Sequence, residues 1–133
     1  MLKRNKRFFL ILLTLALPFG CVGCASEGGS ATYEQISGAE AKALMDSESG
    51  YIIIDARTQS EYDEGHIPGA ILIPEYEIAN RAEKELLDKD QLILVYCRSG
   101  RRSKIAAEEL VKLGYTNVKE FGGIIDWEYE IVK

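Results

Sequence analysis

The chain has 133 residues, of which 47% are hydrophobic, and a formal net charge of −5. That length holds one domain of ordinary size plus a short leader. The first 24 residues carry four basic side chains, Lys3, Arg4, Lys6 and Arg7, and no acid, so the remainder sets 12 basic against 21 acidic residues. An acidic body of this kind argues against nucleic acid as a partner, which wants a basic face.

Met1–Arg7 is a positively charged start, Phe8–Leu17 an apolar run, and Pro18 to Cys24 a short segment of mostly small residues. That order reads as a secretory signal. The run is shorter than the roughly 20 residues a spanning helix needs, and Pro18 interrupts it. A glycine just before a cysteine resembles the lipobox of bacterial lipoproteins, where the cysteine becomes the lipid-bearing terminus. Val22-Gly23 favours Cys24 as that residue, with Gly20-Cys21 as the alternative, although neither has the usual leucine three positions before it. The resemblance implies a signal over 1–24, a flexible tether over 25–32 and a domain over 33–133. That domain is extracytoplasmic, held at a membrane by the lipid. A redox or metal pair, Cys21-x-x-Cys24, is the rival reading, but it has no second ligand pair.

Tyr33–Ile36 suggests a short edge strand. Ser37-Gly-Ala-Glu40 has the form of a capping box, and Ala41, Leu44 and Met45 follow at helical spacing. After Gly50, Tyr51–Ile54 is an apolar, β-branched run and predicts a central strand. Thr58-x-x-Glu61 starts a short helical turn with Tyr62. Gly65–Ala70 is rich in turn residues, and Ile71–Ile73 predicts a third strand. Ile78, Ala82, Leu86 and Leu87 predict a helix within 75–87. Leu92–Tyr96 is continuously apolar, as a strand buried on both faces is. Ser103 opens a helix that Gly114 stops. Val118–Phe121 predicts a last strand, and Gly122-Gly123 precede a helical end containing Trp127. Strands alternating with helices predict an α/β domain, with a mostly parallel sheet of about five strands and helices on both faces.

Between the fourth strand and its helix lies Cys97-Arg98-Ser99-Gly100-Arg101-Arg102-Ser103. A helix start leaves N–H groups unpaired and adds partial positive charge. A curled loop ahead of it turns more N–H groups inward as an anion nest. Gly100 lets the backbone bend there. A thiol facing that nest and three arginines is held as thiolate, the nucleophilic form. The plain alternative is a structural cysteine at a strand end.

Cys97 to Arg102 resembles the active-site loop of the rhodanese family, Cys-x-x-Gly-x-Arg. Cysteine phosphatases carry five residues between Cys and Arg, and Ser103 stands at that place here. The match extends to Asp55-Ala-Arg57, Glu61-Tyr62, Gly65-His66-Ile67-Pro68-Gly69-Ala70, and Gly122-Gly123 with Trp127, in the family's order over roughly 33–130. The resemblance implies the rhodanese fold and persulfide chemistry at Cys97. The loop residues Arg98, Ser99, Gly100, Arg101 and Arg102 then bind an anionic donor.

Within that loop, Arg102 is expected to fold back onto the carbonyls, and Arg98 and Arg101 either to line the mouth or simply to be solvated. Asp55 and Arg57 read as an ion-pair network supporting the site. His66 reads as turn scaffolding or as a base near the thiol, and Trp127 as core packing. The implied partners are a small sulfur-containing anion, a thiol acceptor and the membrane. No cofactor is expected, and no side-chain cluster has metal-ligand spacing. The rival functions are a persulfide relay with little turnover on free donors and a phosphatase on a related loop.

Overall fold

The computed structural model describes residues 32–133. The signal segment and the lipidation cysteines Cys24 and Cys21 lie outside the described residues, as does the tether up to residue 31. Five strands form one sheet: β1 (Glu34–Gln35), β2 (Ile52–Asp55), β3 (Ile71–Leu72), β4 (Ile93–Cys97) and β5 (Val118–Gly123). All four pairings are parallel, in the order β1-β5-β4-β2-β3. Parallel neighbours need crossovers, which here are α1 (Gly38–Ser47), α2 (Gln59–Glu64), α3 (Ile78–Glu85) and α4 (Arg101–Lys112).

Side chains alternate across the pleat, so the apolar strands feed two cores. Ile54, Ala56, Ile93, Val95, Cys97 and Val118 face α3 and α4, packing with Ala82, Ala106, Ala107 and Leu110. Ile53, Leu94, Tyr96 and Phe121 face the other way, onto Ala41 of α1 and onto Ile67 and Ala70. Each buried Ile, Leu or Val contributes about 1.5–3 kcal/mol, which is why these runs carry no polar break.

Local signals fix the helix starts. Ser37 accepts from the Glu40 N–H while the Glu40 carboxylate accepts from the Ser37 N–H, and Thr58 and Glu61 repeat the arrangement before α2. Three elements differ from the sequence expectation. The segment 75–87 is a 3-10 turn (Glu75–Glu77) running into α3, which stops at Glu85, so Leu86 is buried but Leu87 is left exposed. Helix α4 opens at Arg101 rather than Ser103, because Gly100 takes a left-handed φ of 109° and turns the chain early. Gly122-Gly123 belong to β5, with only a 3-10 turn, Ile124–Asp126, between them and Trp127.

The β4–β5 register slips at one point that matters. Val95 pairs with Glu120 but Cys97 pairs with Gly123, so β5 carries one extra residue beside the end of β4. At Gly123 a Cβ would lie 1.9 Å from the Arg98 carbonyl oxygen and 2.5 Å from the Ser99 nitrogen. Only glycine lets the loop after Cys97 close against the sheet.

Candidate active site

Cys97 is the last residue of β4, at the carboxyl end of the sheet, where α/β folds place their ligands. It is 1% exposed and is the floor of the loop that follows. The Gly100 N–H donates to its sulfur at 3.0 Å. Burial pushes the thiol up. The Ser103 hydroxyl and the N–H groups of Ser103, Gly100 and Ser99 outweigh that and leave it below its ordinary value. The start of α4 thus points its unpaired N–H groups at the sulfur.

The arginines separate into two kinds. Arg98 and Arg101 are exposed and, among the described residues, have no ion-pair partner. Arg102 does not fold back onto the loop carbonyls. Its guanidinium forms a two-pronged pair with Glu61 of α2, at 2.7 and 2.8 Å. The same carboxylate already caps Thr58, so it offers a fixed, planar target that matches the guanidinium fork better than scattered carbonyls do. The pairing holds Glu61 down at about 2, with its bond to Arg102 the main cause.

Asp55, Arg57 and His66 stand apart from the sulfur. Tyr96 and Cys97 are successive residues of β4 and point to opposite faces. The Tyr96 hydroxyl donates to Asp55 at 2.7 Å and accepts from the Ile67 N–H at 3.1 Å. Arg57 grips Asp55 through Nε and Nη2 and donates onward to the Gly65 carbonyl at 2.7 Å. This buried network clamps the 65–70 turn to the strand ends. The His66 ring stacks on Tyr62, its Nδ1 lies 2.9 Å from the Tyr62 carbonyl, and its backbone pairs with Val132. These three residues scaffold the turn and the chain end, and none contacts the thiol. Trp127 packs on Phe121 and against Gly38.

Two groups were missed by sequence reasoning. Ser103, fully buried, donates to the Glu120 carboxylate at 2.5 Å, and Glu120, 3% exposed, also accepts from the Gly122 N–H at 2.8 Å. The available signal was an acid two residues after Val118, on the inward-facing side of strand 118–121. Among the described residues, no group of three or more His, Cys, Asp or Glu could hold a metal ion.

A parallel sheet with a thiol seated in a ring of loop N–H groups at its carboxyl edge defines a class, and the chain belongs to it: residues 37–130 match the Rhodanese-like domain family. Among curated proteins it is 41% identical to the thiosulfate sulfurtransferase PspE of Escherichia coli, over 55% of this chain and 70% of that one. It is 35% identical to the thiosulfate sulfurtransferase GlpE of Coxiella burnetii, over 72% of this chain and 88% of that one. Among solved structures, a rhodanese with anions from E. coli superposes with a TM-score of 0.60 at 38% identity, covering 63% of this chain and 99% of that one. A rhodanese-related protein from Thermoplasma volcanium gives 0.65 at 31%, covering 75% and 98%.

Proposed function

We propose that the protein is a sulfurtransferase that carries a sulfane sulfur on Cys97. The observation behind this is the set of N–H groups from Ser99, Gly100 and Ser103 converging on one sulfur. Thiosulfate or a persulfide approaches the exposed Arg98 and Arg101, whose charge draws in an anion. The Cys97 thiolate attacks the outer sulfur of the donor. A new S–S bond forms, the donor's own bond to that sulfur breaks, and sulfite or a thiolate leaves with the electron pair. The loop N–H groups stabilise the persulfide anion that results. An acceptor thiolate, or cyanide, then attacks the terminal sulfur and takes it. The Cys97 thiolate returns, completing a ping-pong cycle. No proton needs a protein base, in keeping with the position of His66 away from the sulfur.

The compartment is part of the same proposal. The basic, apolar and small-residue order of the first 24 residues supports export and a lipid anchor at Cys24. Once residues 1–23 are cut, Cys97 is the only thiol besides the modified Cys24 terminus, so the acceptor is a separate molecule.

Incubation with thiosulfate followed by intact mass tests the proposal. The reduced protein gains one sulfur, about 32 Da, and loses it to added thiol. Cys97→Ser gains nothing while keeping its thermal transition. Sulfur transfer retained in that variant would overturn the assignment. A loaded persulfide that small thiols and cyanide unload only slowly would favour a relay to a protein acceptor.

A further inference from the structure

Arg102 stands on the first turn of α4, beside the loop that cradles Cys97, yet its guanidinium is taken up by Glu61 at 2.7 and 2.8 Å. A forked guanidinium matches carboxylates, sulfonates and phosphates alike. What the fork offers an oxyanion, it is already giving to Glu61. The carboxylate is itself fixed, since its Oε2 accepts from the Thr58 N–H at 3.1 Å and from the Thr58 hydroxyl at 2.9 Å. An incoming anion therefore competes with a partner already in place. Access is not the obstacle: 21% of the Arg102 side chain and 26% of the Glu61 side chain are exposed.

The bond to Glu61 is the main cause that raises Arg102 above its ordinary value, and the charges of Cys97 and Glu75 also reach it. The guanidinium thus lies within the field of the sulfur. Glu75, in the 3-10 turn after β3, is a second carboxylate nearby, and among the described residues no hydrogen bond or ion pair joins it to Arg102. The other two loop arginines, Arg98 and Arg101, are exposed.

This arrangement bears on which donors the site takes. Thiosulfate carries a sulfonate end, which a free guanidinium fork would grip. An organic persulfide, R–S–SH, has no such end. Its outer sulfur passes to the Cys97 thiolate, the S–S bond of the donor breaks, and R–S⁻ leaves with the electron pair. A released Arg102 strengthens the hold on the first donor and does nothing for the second.

We propose that Glu61 is a positioning residue that sets donor specificity: by holding Arg102 it withholds the loop's half-buried guanidinium from oxyanion ends, and so favours organic persulfides over thiosulfate. The inference rests on the sulfur transfer at Cys97 proposed above.

Sulfate is the probe, an oxyanion with no sulfane sulfur to give. Cys97 alkylation by iodoacetamide is followed in the full chain by mass on the peptide carrying Cys97, with sulfate exchanged for chloride at constant ionic strength. This readout needs no turnover. Glu61→Gln keeps an acceptor for the Thr58 N–H, and so keeps the cap, but a neutral amide holds arginine far less firmly. Sulfate then protects Cys97 at about tenfold lower concentration than in the parent. In steady state, KM for thiosulfate falls by a similar factor with kcat little changed, while KM for the persulfide of 2-mercaptoethanol stays at the parent value. Adding Arg102→Met to Glu61→Gln removes both gains.

Glu75→Gln makes the same change of charge without releasing the guanidinium, and moves either reading by no more than about twofold. An equal gain there overturns the proposal, because charge at a distance would then suffice. Gains that survive Arg102→Met overturn it too. So does the absence of any gain both in Glu61→Gln and in Glu61→Gln with Glu75→Gln, where the freed guanidinium has no second carboxylate to take. A sulfate gain in a protein that takes up no sulfur would instead overturn the function, and leave the control of Arg102 by Glu61 standing.

Discussion

Arg102 and Glu61 lock together across the gap between α4 and α2, guanidinium on carboxylate, with both prongs below 3 Å. The arginine that the loop motif offers to an anion is thereby already occupied, and it ties the active-site loop to the first helical turn after β2. Glu61 titrates at about 2 when folded, against an ordinary value of 4.5. A depressed carboxylate stabilises the fold fully above its unfolded value and loses that contribution as pH falls through the folded one. Unfolding by urea should therefore show stability dropping between about pH 4.5 and pH 2. Glu61→Gln should flatten that part of the curve. A parent-like acid slope in the variant would place the loss elsewhere.

Gly123 should tolerate nothing larger. A methyl there meets backbone atoms of Arg98 and Ser99, which cannot swing aside as a side chain can. Gly123→Ala is expected to cost about 1–3 kcal/mol and to displace the loop enough to break the Gly100 N–H to sulfur bond. Sulfur uptake should then fall more than stability does. Gly122→Ala is the control: its φ is 87° but its Cβ position is open, so it should cost only about 1–2 kcal/mol of backbone strain. Equal damage from the two would deny the close approach its role.

The sheet, its parallel sense and the sulfur's position at its edge were legible because they depend on patterns local in sequence. Continuous apolar runs mark doubly buried strands, and two capping boxes mark helix starts. The thiol, glycine and helix start lie within seven residues, so their cradle was legible too. What was not legible depends on residues brought together from afar. Glu61 and Arg102 are 41 positions apart, and Glu120 and Ser103 are 17 apart. Nothing in the motif says which acid will take the arginine. The alternation of Tyr96 and Cys97 was in the sequence, however. It put Tyr96 on the face away from Cys97; that Asp55 shares that face follows from the β2–β4 register, with Asp55 beside Tyr96, which no local pattern gives.

In the proposed sulfur transfer, with Arg102 engaged, attraction of an anionic donor falls to Arg98 and Arg101. Replacing both by alanine should raise KM for thiosulfate about tenfold, with kcat changed little, because neither holds the sulfur of Cys97. Added salt should raise KM in the parent and much less in the variant, since screening removes the same charge the substitution removes. Steady-state rates at low and high ionic strength decide it. A large fall in kcat instead would mean that one of these side chains reaches the transferring sulfur or the leaving sulfite.

Tyr96 gives the complementary case, a buried group next in sequence to Cys97 whose hydroxyl bonds only to groups on the opposite face of the sheet. Its hydroxyl joins Asp55 to the Ile67 N–H inside the face opposite Cys97, and burial together with the Asp55 charge pushes its ionisation far upward, so it stays a neutral donor. Tyr96→Phe leaves the Ile67 N–H unpaired and removes one donor from Asp55. Stranding such groups costs about 1–3 kcal/mol, to be read from the urea midpoint. Asp55 keeps Arg57, so the clamp on the 65–70 turn weakens without breaking. The pH profile of Cys97 alkylation should stay within error of the parent, since the two side chains are separated by the sheet itself. A displaced profile would show that the clamp reaches through β4 to the loop, and that the two faces are not independent.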